Sequence, residues 1–87
     1  MFIIKSTHIA TKENANFTGE TQVWYNGKNW SSLGNKNKFP EEWEIREYGY
    51  TTKASAMKGL TAHKKVADWE EKQGFWEVTV ELIEVNL

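Results

Sequence analysis

Residues able to do covalent or acid–base chemistry are few in this chain and lie far apart. There are two histidines, His8 and His63, and no cysteine. A serine nucleophile needs a histidine and an acid beside it, and the available serines are Ser6, Ser31, Ser32 and Ser55. None of them sits in the Gly-x-Ser-x-Gly elbow that exposes such a hydroxyl. No His-x-x-x-His, His-Cys or carboxylate cluster has metal-ligand spacing. Leu33-Gly34-Asn35-Lys36 carries one glycine and lacks the pattern of a phosphate-cradling loop. The paired carboxylates Glu41/Glu42 and Glu70/Glu71 are sequence neighbours and read as solvated pairs. The expectation is a protein that is not an enzyme and holds no cofactor or metal. His63 reads as a satisfied core histidine.

Side chains suited to recognition are more plentiful, because aromatic residues make up 14% of the chain. Trp24 stands among Gln22, Asn29 and Ser31, a Trp ringed by polar groups, which is a hot-spot composition. Lys28 and Asn29 add a charge and an amide at the same end, with Lys36, Lys38 and Phe39 nearby. The loops at 10–20 or 33–42 could instead cover that tryptophan. Lys58, Lys65 and Lys72 recur every seven residues and form one row along a helix, with Trp69 bordering it. A Trp beside lysines suits base stacking with phosphate contacts, or Trp69 simply seals the helix edge above solvated lysines. Asp68, Glu70 and Glu71, together with Glu77, Glu81 and Glu84, offer an acidic surface for a basic partner, or serve only solubility.

The elements that must position these residues follow from periodicity. Residues 2–9 are β-branched and apolar without helical period, which predicts a strand. Residues 10–20 read as a loop. Asn26-Gly27 between β-rich runs predicts a hairpin with a two-residue type I′ turn, since both turn positions need φ > 0. That register sets Tyr25 opposite Lys28, Trp24 opposite Asn29 and Val23 opposite Trp30. Val23, Tyr25 and Trp30 then share one face, and Trp24 points to the other. Residues 33–42 read as a polar loop. Trp43/Ile45 and then Tyr48/Tyr50 alternate over 43–50, which predicts a fourth strand with a bulge near 47–49.

Thr51 or Thr52 can cap a helix that runs to about Gln73 and stops at Gly74. At about 100° per residue, Ala56, Gly59, Leu60, Ala62, His63, Val66, Ala67 and Trp69 fall in one half-circle. Gly59 costs ~1 kcal/mol relative to Ala in a helix, so a close contact with an aromatic ring is expected there. The last segment alternates over Trp76, Val78, Val80 and Leu82, then shifts to Ile83, Val85 and Leu87, which suggests a second bulge. The predicted order is β-β-β-β-α-β: a single α+β domain over 1–87, an antiparallel sheet of about four to five strands with one helix packed on one face.

The net charge of −1 is unevenly spread. Residues 1–40 carry five lysines against Glu13 and Glu20, whereas 41–87 carry six basic groups against ten acidic ones. Anion binding would therefore have to be local. No apolar run approaches the roughly 20 residues of a membrane span, and Met1-Phe2-Ile3-Ile4-Lys5 has no basic leader. A cytoplasmic location and no membrane partner are expected.

The apolar opening Met1–Lys5, the helix start Tyr50-Thr-Thr-Lys-Ala-Ser-Ala56 and the apolar/acidic ending Val78–Val85 form a recognisable layout. It resembles small phage and prophage proteins of low-GC Gram-positive bacteria, some of which block host defence proteins by direct binding. The resemblance implies a binding protein. The expected function is a protein-binding module, in that setting an inhibitor of a host protein, using Trp24 and the acidic helix end. The alternative is a nucleotide or nucleic-acid binder using Trp24, Trp69, Lys58, Lys65 and Lys72. The open sheet face also permits a homodimer.

Overall fold

The computed structural model describes residues 1–25, 32–33 and 37–87. It is an α+β fold with strands β1 (Phe2–Ala10), β2 (Glu20–Tyr25), β3 (Ser32–Leu33) and β4 (Trp76–Glu84) and helices α1 (Glu42–Tyr48) and α2 (Lys53–Lys72). The sheet is antiparallel in the order β3-β2-β1-β4, and β3 has only two residues.

β1 is the central strand of this sheet, and its two faces serve two cores. Its even-numbered residues Ile4, Ser6 and His8 share a face with Leu82, Val80 and Val78 of β4 and carry α2. Its odd-numbered residues Ile3 and Lys5 share the opposite face with Ile83 and Trp24. There Ile3, Trp24 and Ile45 of α1 form a buried cluster, joined by Met1, Ile83 and Val85. The shift of apolar residues after Leu82 therefore records a change of core. The expected bulge is absent, because β1 and β4 stay in one register from Phe2↔Glu84 to Ala10↔Trp76.

The segment 43–50, expected as a strand, is mostly helix, and the observed order is β-β-β-α-α-β. Alternation misleads here because Trp43 is 61% exposed while Ile45 is buried. Local helix chemistry wins. The Glu44 carboxylate accepts from the Glu41 N–H at 3.0 Å, closing the first turn. Arg46 donates to Glu42 one turn back at 2.7 and 3.1 Å. Only Tyr50 keeps extended pairing, exchanging two 2.8 Å backbone bonds with Phe2.

α2 follows its expected bounds. The Thr52 hydroxyl caps it by accepting from the Ser55 N–H, and Gly74 at φ +85° turns the chain back towards β4. Ala56, Gly59, Leu60, His63 and Ala67 are its buried residues. A Cβ on Gly59 would stand 2.8 Å from Tyr50 Cζ and closer still to its hydroxyl. That is the close aromatic approach its position predicts, made by Tyr50.

The hairpin register differs from the expected one. Trp24 lies opposite Leu33 and Tyr25 opposite Ser32, so the two-residue turn pairing with Asn29 and Lys28 is replaced. Asn26-Gly27, Lys28, Asn29 and Trp30 themselves lie outside the described residues.

Candidate functional site

Trp24 points away from the α2 face, as expected, but it is only 4% exposed. The segment at 37–40 and α1 close that end of the sheet. Asn37, at φ +61°, donates to the Gln22 carbonyl at 2.9 Å and accepts the Gln22 N–H on its side chain at 2.7 Å. Phe39 then stands edge-on to the indole, with centroids 5.9 Å apart. Lys5 lies 5.8 Å over the indole ring. Trp24 is a core residue, and its expected role as an exposed contact is corrected. Beyond this roof, Thr7, Ile9 and Gln22 continue the same face, and Ile9 is exposed.

A second group of exposed aromatic residues, besides Phe39, Trp43 and Tyr48 at the roofed end, lies where α2 finishes and β4 begins. The left-handed turn at Gly74 sends Phe75 outward and starts β4 with Trp76 beneath the last turns of α2. Loop 11–19 is tied to this corner. The Thr11 N–H and the Asn14 side-chain amide both donate to the Phe75 carbonyl at 3.1 Å, and the Thr11 hydroxyl donates to the Gly74 carbonyl. Asn14 Oδ1 accepts the N–H groups of Asn16 and Phe17, each at 3.1 Å. That Asx turn holds Phe17 against Trp76, ring centroids 5.6 Å apart.

Two shallow clefts flank Phe75 and Trp76. One, of about 250 Å³, is walled by Phe17 and residues 13–16. The other, of about 320 Å³, lies between Phe75–Trp76 and Val66, Trp69, Glu70 and Gln73 of α2. Trp69 is 63% exposed, and Val66, Phe17 and Phe75 are exposed as well. The charged side chains in the cleft walls are Glu13 and Glu70.

Glu70 is held from below. Its Oε2 accepts from His8 Nε2 at 3.0 Å, since a carboxylate can only accept. His8 Nδ1 and the Ser6 hydroxyl share a hydrogen bond of 3.3 Å, in which the hydroxyl donates when the ring is neutral, and the His8 ring meets Trp76 edge-on at 5.9 Å. Ser6, His8 and Glu70 thus form a serine–histidine–carboxylate chain, but Ser6 is buried and neither Ser6 nor His8 lines either of these two clefts. A nucleophile needs an approach for its carbonyl, and neither of the two clefts gives this hydroxyl one. The chain fixes Glu70.

His63 is buried on the sheet-facing side of α2, and desolvation lowers its pKa to about 4. Lys58, Lys65 and Lys72 are exposed and make no ion pair among the described residues, and Trp69 stands beside them. The acidic residues do not form one surface. Glu81 pairs with Lys5 across the far face at 3.9 Å, and Glu77 shares that face. Glu71 accepts the outward Val78 N–H at 2.9 Å. Among the described residues no group of three or more potential ligands could hold a metal ion, and no helix is long and apolar enough to cross a membrane.

Helical angle singles out Trp69, but sequence reasoning missed Phe17, Phe75 and Trp76 as a site. The available signal was a pair of aromatics directly after a helix-ending glycine. Comparison with protein families, characterised proteins and solved structures finds no match to this chain.

Proposed function

We propose that this protein is a non-catalytic module that binds a protein partner through the corner formed by Phe17, Trp69, Phe75 and Trp76. The observation that carries the reading is the gathering of these four aromatics around two adjoining clefts with a polar rim. Scattered exposed apolar residues are ordinary, but clustered aromatics with polar neighbours have the composition of an interface centre. The hydrogen bonds of loop 11–19 order the corner before any partner arrives, which lowers the entropy cost of binding. The phage-type layout of the chain is compatible with an inhibitor that occludes a host protein by contact alone.

The exposed row Lys58, Lys65 and Lys72 beside Trp69 supports a second reading, a nucleotide or single-stranded nucleic-acid surface. Carboxylates in the cleft walls count against it, because they repel phosphate.

Capture with tagged wild-type protein and with a Trp69→Ala/Phe75→Ala double variant tests the proposal. A partner retained by the first and lost by the second, with unchanged circular dichroism, is the expected result. Equal capture by both would refute it. Oligonucleotide binding that weakens steeply with salt and disappears in Lys65→Glu would favour the second reading.

A further inference from the structure

We infer that the cleft between α2 and Phe75–Trp76 receives one arginine side chain of the protein partner. The inference rests on the proposed binding role of this corner and adds the chemistry of what enters it. Trp69, Phe75 and Trp76 supply three aromatic rings around a volume of about 320 Å³, near the lower limit of small-ligand pockets, which suits one long side chain. Aromatic faces carry negative quadrupole density and attract cations. Among the described residues Glu70 is the only charged one in this cleft wall, and it is negative.

Glu70 is already oriented. His8 holds Oε2, and the other carboxylate oxygen makes no hydrogen bond among the described residues. An anion entering here would meet a carboxylate and the negative ring faces. A purely apolar group would strip water from Glu70 without replacing its hydrogen bonds. A guanidinium satisfies both walls, stacking flat on a ring while donating to the carboxylate, and it does so better than the compact ammonium of lysine. Gln73 lines the same cleft, and a glutamine side chain carries an amide oxygen able to accept from the remaining donors. The lysine row runs along the other side of Trp69 and lines neither cleft.

The probe is a short Gly-Ser peptide with one central arginine, compared with the same peptide carrying citrulline, its uncharged isostere. Indole N–H resonances of the full chain report the response. The arginine peptide is expected to shift Trp69 and Trp76 saturably while leaving Trp24 in place, with roughly tenfold weaker binding for citrulline. Glu70→Gln should weaken the arginine peptide by a similar factor and leave the citrulline peptide unchanged. Trp69→Ala, at an exposed position, removes a ring without touching the core. Equal shifts for arginine and citrulline, indifference to Glu70→Gln, or no shift at all would overturn the inference. If capture of a partner still required Trp69 and Phe75 in that event, the binding role would stand and only the arginine assignment would fall.

Discussion

Acid should unfold this protein partly through one histidine. His63 is 5% exposed on the sheet-facing side of α2, and burial lowers its pKa from 6.5 to about 4. Above pH 6.5 the ring is neutral in both folded and unfolded chains and adds no pH dependence. Below that value the unfolded chain takes up a proton that the folded protein refuses, so stability falls until pH approaches 4, where the folded form protonates as well. The gap corresponds to about 3 kcal/mol at ~1.36 kcal/mol per pH unit. A domain of this size has on the order of 4–13 kcal/mol in total. Urea titrations followed by circular dichroism between pH 7 and pH 4 measure the loss in wild type and in His63→Leu. Carboxylates titrate in both proteins and cancel in the difference. Wild type should lose about 3 kcal/mol more than the variant across that interval. Parallel stability curves would refute the reasoning.

Other consequences concern packing. Gly59→Ala gains ~1 kcal/mol of helix propensity but forces Tyr50 aside, for a net loss of about 1–2 kcal/mol in urea unfolding. The loss should shrink when Tyr50→Leu is added. Trp24→Ala should cost about 3–5 kcal/mol of unfolding free energy. Trp24→Phe should cost less than about 1.5 kcal/mol, because the buried indole N–H has no partner among the described residues. Trp69→Ala should leave the urea midpoint nearly unchanged, within about 0.5 kcal/mol; a large drop would mean that the ring supports the fold.

Residues with local signals were legible in the sequence. Thr52, Gly59 and Gly74 marked the start, the tight contact and the end of α2, and the alternation of Trp76 to Leu82 marked β4. Trp24 was placed on the correct side of its strand. What covers that side was not legible, because residues 37–48 read as loop and strand when they form a docked segment and a short helix. Ile83 and Val85 were visible as a change of pattern, but a second core and a bulge leave the same trace in one strand. The aromatic corner was hidden for another reason. It forms when loop 11–19 hydrogen-bonds to Gly74 and Phe75, more than 60 positions away, and no periodicity spans that distance. His8 and Glu70 meet across a similar interval.

The photoreactive amino acid p-benzoylphenylalanine, placed at position 75 in one protein and at position 57 in another, gives the most direct measurement. Met57 is also exposed, on the solvent side of α2 away from both clefts. Irradiation in the native cell extract should join a partner to the protein labelled at 75 and leave the one labelled at 57 alone. Adducts from 57 but not from 75 would place recognition elsewhere on the molecule and contradict the account.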